Sequence, residues 1–280
     1  MTQTSPESKV PGPELVNGTA APLPAALDVP EPGPALRVGT RPPSSPPDAR
    51  EPGLGYGWAR TPLAATVRRV LQPAVVPLLH ALYGVDVEGL EHLRKLGGGV
   101  IFTANHHHHL DAALILASLP ASLRERLLVV AAADTIFASP IRGAIAALLG
   151  NAIPLEREGS LRHSLGQLTE LLAEGWSLLI FPEGRLTVGG PLRSFKGGTT
   201  LLAIESGAPV VPMWLGVRRP GLWERRLARG RMVLRIGVPL TLARHTGHAA
   251  SAELLESAVR TLAPAEPGRG SGAFDPARPR

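Results

Sequence analysis

The chain's 280 residues are 44% hydrophobic, 19% charged and 4% aromatic, with a net charge of +6, which suits one large domain or two small ones with enough apolar material for a core. Arginine supplies nearly all the positive charge, since the only lysines are Lys9, Lys95 and Lys196; a basic balance fits nucleic acid, phospholipid headgroups or acidic carrier proteins without choosing among them. Cysteine is absent, which excludes disulfides, thiol nucleophiles and thiolate metal sites and fits a reducing compartment.

In chain order, residues 1–55 are loaded with Pro, Gly and Ser and show no hydrophobic period. Such a composition cannot bury enough surface to offset chain entropy, so a disordered Pro-rich tail is expected there, and a second at 264–280. The opening MTQTSPESKVPG lacks the basic start and apolar run of a signal peptide. Residues 56–263 read as one folded domain without internal repeats. Its first part, 56–84, is predicted to be helical. The apolar run at 70–85, VLQPAVVPLLHALYGV, is interrupted by Gln72, Pro73, Pro77 and His80, and no stretch offers the about 18 uninterrupted apolar residues that a spanning helix needs. That segment either lies on a membrane surface or packs as an ordinary core helix, and the residues alone leave both readings open.

Five short apolar runs then have the length and continuity of buried strands: GVIFTA (99–104), LLVVAA (127–132), NAIPLE (151–156), SLLIF (177–181) and PVVPMWL (209–215). Between the third and fourth, Leu161, Leu165, Leu168, Leu171 and Leu172 share one helical face, and Gly175 is placed to end that helix. DAALILASLP and SAELLESAVRTL are further helices. Strands alternating with helices predict an α/β domain with a mostly parallel sheet flanked by helices.

Polar residues cluster where three of these strands end. Asn105 and four histidines follow the first, Arg157 follows the third, and Pro-Glu-Gly-Arg (182–185) follows the fourth. Ligands of open α/β sheets bind outside the carboxyl ends of the strands, so the three clusters predict one pocket. Four adjacent histidines point in different directions and cannot all serve one site. A turn from Asn105 into a helix starting near Leu110 folds His106 back onto Asp111. The carboxylate would then fix one imidazole nitrogen and leave the other as a base. A metal reading, through His106 and His109 one helical turn apart, lacks a second histidine cluster to complete its shell. His107, His108 and His109 read as pocket lining or as exposed residues.

The segment NHHHHLD resembles the Asn-His-x4-Asp motif of the glycerolipid acyltransferase family, whose members include 1-acyl-glycerol-3-phosphate acyltransferases. IFPEGR (180–185) resembles that family's Phe-Pro-Glu-Gly block, NAIPLER its arginine-bearing block and PVVPM its late Val-Pro block. The four occur in the family's order, across roughly residues 85 to 240. The resemblance implies an α/β acyltransferase domain in which His106 is the general base and Asp111 orients it. The base deprotonates an acceptor hydroxyl, which attacks the thioester of acyl-CoA or acyl-carrier protein. No acyl-enzyme, cofactor or metal is implied, in keeping with the lack of cysteine and of a Gly-x-Ser-x-Gly elbow.

The acceptor is then a lysophospholipid, whose phosphate needs cations. Arg157, Arg185 and Lys196 are the candidates, with Gly197 at the start of the apolar helical pattern in 194–207, since a helix N-terminus is itself an anion site. Asn105, Glu183 and Gly184 join the expected substrate-binding set, Glu183 organising the acceptor's glycerol or the arginines around it. A solvated loop with a structural ion pair is the competing reading of these charged residues. This chain reads FPEGRLT where the common form is FPEGTRS, with Thr187 in place of serine, which leaves the choice between lysophosphatidic acid and another lysophospholipid open.

Such substrates partition into bilayers, so an anionic phospholipid surface is an expected partner, with peripheral attachment at the cytoplasmic face of the cell membrane. Besides the 56–84 segment, residues 218–231 place arginines around Trp223. Nucleic acid is not expected, for want of a reading module and of stacking aromatics. A catalytically silent membrane adaptor on the same scaffold is the remaining rival.

Overall fold

The computed structural model describes residues 56–155, 161–188, 191–217, 232–243 and 247–264, without the side chains of 161–163. They fall in one compact unit, Glu51–Arg280. The tail expected at 1–55, the tail expected at 264–280 past Pro264, Arg157 and the arginine-rich 218–231 segment lie outside the described residues.

A 22-residue helix, α1 (Pro62–Tyr83), opens the domain. Its start is well specified: the Thr61 side chain accepts from the Ala64 N–H, and Pro62 sits at the first helical position, where no N–H is needed. Pro73 and Pro77 lie inside it, each removing one backbone hydrogen bond, yet the helix continues to Tyr83. Its inner side buries Ala64 and Arg68. Arg68 donates to Ala59 O at 2.7 Å and to Leu148 O at 3.2 Å, which straps the preceding 3-10 turn and a later helix to α1. Desolvation lowers the pKa of this guanidinium.

The remaining elements alternate: β1 (Val85–Glu88), β2 (Ile101–Ala104), α2 (Asp111–Ser118), α3 (Ala121–Arg124), β3 (Leu127–Ala132), α4 (Pro140–Gly150), β4 (Ala152–Leu155), α5 (Leu161–Ala173), β5 (Ser177–Ile180), α6 (Gly198–Ser206), β6 (Val210–Val217), β7 (Met232–Ile236) and α7 (His248–Thr261). Among the described residues the strands form one sheet in the order β1-β7-β6-β2-β5-β3-β4. The block from β6 to β4 is parallel throughout. β7 is antiparallel to β6 and parallel to β1, so this edge pair runs against the other five strands. The expected mostly parallel sheet is present, and each of the five expected strands appears in it.

Central β2 lies between β6 and β5, with Phe102 in register with Val211 and Leu179. All four of its residues are buried, as a strand covered on both faces requires. Alternation sends Phe102 and Ala104 into a core beneath α1, α2 and α4, and Ile101 into a second core beneath α5, α6 and α7. Leu165, Leu168, Leu171 and Leu172 bring α5 to the second core as their spacing requires. Gly175 ends that segment in a left-handed conformation, φ 85°, with its N–H on Leu172 O.

Candidate active site

The site grows from the carboxyl end of β2. Asn105, expected to bind substrate, is fully buried. Its Nδ2 donates to Leu215 O and its Oδ1 accepts the Leu215 N–H, both at 2.8 Å. Both amide atoms are therefore committed to the backbone of β6, and the residue is a strut between strands. Full burial and these two bonds give Asn105 a structural role at the end of β2.

Beyond Asn105 the chain turns into α2, whose first residue is Asp111. An acidic residue in the first turn suits the positive end of the helix. Its carboxylate is buried, and one oxygen, Oδ2, meets His106 Nδ1 at 3.0 Å, the His107 N–H at 2.7 Å and the His108 N–H at 2.8 Å. An ionised carboxylate can only accept, so Nδ1 is assigned as the donor in this contact, and in the neutral ring Nε2 then keeps its lone pair. The His106 ring stacks on Phe181 with centroids 4.2 Å apart, while its side chain stays 21% exposed. The ring is thus held by packing and by a hydrogen bond, and remains accessible.

The other three histidines go elsewhere. His107 tilts against Trp214 of β6. His108 and His109 line a cavity of about 290 Å3 with Tyr83, Leu110, Leu114 and Met232. Among the described residues no group of three or more His, Asp or Glu side chains is arranged to hold a metal ion, so the His106–His109 pairing gains no further ligand.

β5 lies beside β2, and its carboxyl end supplies Glu183. This carboxylate is 3% exposed. Oε1 accepts the His106 N–H at 2.8 Å; Oε2 accepts the Thr187 hydroxyl at 2.7 Å and the Arg193 N–H at 3.2 Å. The Thr187 N–H donates to His106 O at 2.8 Å. Expected to organise glycerol or arginine side chains, Glu183 instead binds the peptide of His106 and gathers its own loop.

Gly184 adopts φ 68°, and a Cβ there would lie 3.0 Å from Lys196 Cε and 3.1 Å from Nζ, so glycine meets both a left-handed turn and a close approach. Lys196 also donates its N–H to Pro182 O at 2.9 Å. Arg185, Lys196 and Gly197 are exposed, Gly197 standing as the cap residue of α6. The structure therefore sets Asp111 and Glu183 each against His106, and Gly184 against Lys196 alongside. β4, which precedes Arg157, is two strands beyond β5. Sequence reasoning passed over Phe181 and the hydrogen-bonding part of Thr187; an aromatic closing an apolar strand was the available signal for the first.

An acyltransferase family profile, described as Acyltransferase, matches residues 84–216, a span that holds His106, Asp111 and Glu183 together with the partners just given for them. The 1-acyl-sn-glycerol-3-phosphate acyltransferase LPAT1, chloroplastic, of Arabidopsis thaliana is 33% identical over 139 residues, which are 49% of this chain and 37% of that protein. The lyso-ornithine lipid O-acyltransferase of Pseudomonas aeruginosa is 32% identical over 123 residues, 44% of this chain and 45% of that protein. The chain thus spans less than half the length of either relative. The crystal structure of the 1-acyl-sn-glycerophosphate (LPA) acyltransferase PlsC from Thermotoga maritima aligns at 22% identity with a TM-score of 0.49, covering 71% of this chain and 80% of that one. Over residues 84–216, a little under half of its length, this chain is similar to the acyltransferase family.

Proposed function

We propose that the protein transfers a fatty acyl group from a thioester, acyl-CoA or acyl-carrier protein, to the free hydroxyl of a lysophospholipid, 1-acyl-glycerol-3-phosphate first among them. The observation that carries this reading is the His106 Nδ1 contact with buried Asp111 Oδ2. His106 Nε2 takes the proton of the acceptor hydroxyl as its oxygen attacks the thioester carbonyl. Asp111 stabilises the imidazolium that forms. The tetrahedral adduct collapses, the C–S bond breaks, and the departing sulfur takes the proton from Nε2. One ester and one thiol result, with no covalent enzyme intermediate.

Arg185, Lys196 and the N-terminus of α6 are the groups we assign to the acceptor phosphate, with Arg157 joining from beyond β4. The name of the Pseudomonas relative, together with the FPEGRLT variant, supports a second reading in which the acceptor is another lysolipid. A panel of acceptors separates the two.

The reaction needs a lipid surface, and α1 supports attachment to one. Leu63, Val70, Leu71, Leu78 and Leu82 are all exposed, and their spacing puts them on one side of the helix. Arg69, further round the same helix, pairs with Glu125. Among the described residues no helix is long and apolar enough to cross a membrane. We therefore assign a peripheral attachment to anionic phospholipid, on the cytoplasmic face, a placement that the cysteine-free composition suits.

With a labelled acyl thioester and a panel of lysolipids, His106→Ala should lose roughly 10²- to 10⁴-fold in turnover, the span of general-base catalysis, while His108→Ala stays near wild type. Comparable losses at all four histidines, His109 included, reversed by added zinc, would favour the metal reading. Arg185→Ala should lower acceptor kcat/KM about ten- to a hundredfold, the equivalent of roughly 1.5–3 kcal/mol for one charge-assisted contact. Arg185→Lys should recover part of that, and the thioester KM should hold; a defect confined to the donor would move Arg185 to the thioester's side. In flotation assays with vesicles containing anionic lipid, Leu78→Glu combined with Leu82→Glu should release the folded protein, and undiminished binding would refute the α1 attachment.

A further inference from the structure

We propose that Glu183 and Thr187 form a clamp on the His106 peptide, a positioning pair that makes the general base and the acceptor-gripping loop one mechanical unit. The inference rests on the reading of His106 as the base. Three hydrogen bonds close the clamp: the His106 N–H donates to Glu183 Oε1, the Thr187 hydroxyl donates to Glu183 Oε2, and the Thr187 N–H donates to His106 O. Both polar groups of one peptide residue are thereby gripped from a single neighbouring loop. Asp111 takes the next two amides, His107 and His108. Three consecutive N–H groups thus end on two buried carboxylates, and charge-assisted bonds of this kind are the strong ones.

Neither clamp residue is placed to touch substrate. Glu183 is 3% exposed and Thr187 6%. Glu183 already accepts three donors, most of the capacity of a carboxylate. Exposed Arg185 lies between them in the chain, two residues from each. A pull on Arg185 from a bound phosphate therefore reaches His106 through hydrogen bonds on either side. The serine of the common motif is replaced by threonine, but the hydroxyl that the clamp uses is kept, and its loss is what the clamp should not tolerate.

The test is steady-state kinetics with donor and acceptor varied separately, for wild type, Thr187→Val, Thr187→Ser, Glu183→Gln and the Thr187→Val/Glu183→Gln double variant. The clamp predicts that Thr187→Val lowers kcat by about tenfold and Glu183→Gln by about ten- to a hundredfold, the order expected when a reacting group shifts by about 1 Å. Both KM values hold, Thr187→Ser stays near wild type, and the double variant is hardly worse than Glu183→Gln alone, because the two act through one network. A rise in acceptor KM with kcat intact in Glu183→Gln would make Glu183 a substrate ligand and overturn the clamp. A lower Tm with unchanged kcat per folded molecule would reduce it to a structural contact and also overturn it. If wild type turns over no lysolipid, the functional reading fails and the clamp is judged by hydrogen exchange at the His106 amide. At least tenfold faster exchange in Glu183→Gln, with Thr187→Ser as slow as wild type, supports it; equal exchange in all three overturns it.

Discussion

A buried carboxylate has to find donors or give up its charge. Asp111, 1% exposed at the first position of α2, finds all three on one oxygen: the His106 ring and the amides of His107 and His108. The path of the chain between β2 and α2 follows from that demand. Within the four residues between Asn105 and Leu110 the backbone must bend so that two amides and an imidazole converge. The bend makes His106 the histidine whose ring meets the carboxylate, and leaves its neighbours to face Trp214 and the cavity beside Tyr83.

The sheet supplies what the local turn cannot. β2 and β5 are neighbours in parallel register, so their carboxyl ends open side by side, and Glu183 can reach a residue 77 positions earlier. On the other flank β6 holds Asn105 through Leu215. His106 is therefore anchored from three directions: by Asp111 at the start of α2, by Glu183 after β5, and through its neighbour Asn105 by β6. Rigid placement of this kind is how a scaffold lowers a barrier before any proton moves. The exposed cations sit differently. Arg185 and Lys196 project from a turn and from the approach to α6, where they are accessible to a charged headgroup.

Much of this was legible in the residues, and the reasons differ from place to place. The five inner strands read clearly because strands buried on both faces become unbroken apolar runs, as Ile-Phe-Thr-Ala and Leu-Leu-Val-Val-Ala-Ala do. The His106–Asp111 contact was legible because it is local, spanning five residues. β1 escaped because Val-Asp-Val-Glu is short and half polar; it is a strand only by pairing with β7, which arrives some 150 residues later. Direction reversal at β7 has no local mark either. The bonds of Asn105 to β6 were hidden for a related reason: only the neighbouring strand shows that a polar residue at a strand end meets a donor and an acceptor there. Glu183 looked like a substrate contact because its burial, and its approach to His106, depend on contacts far apart in sequence. The helix α4 carried no signal strong enough to be read, with glycine and proline in its sequence and its apolar residues partly exposed.

Everything proposed for the site depends on Asp111 holding His106 with its proton on Nδ1, which leaves Nε2 free to act. Nitrogen NMR of the protein labelled in its histidine rings tests this most directly, with His106 assigned by its loss in His106→Ala. Neutral His106 should be present as the Nδ1–H form, and Asp111→Asn should disperse it into a mixture or into the Nε2–H form. A neutral His106 that carries its proton on Nε2 in the wild-type protein would contradict this assignment.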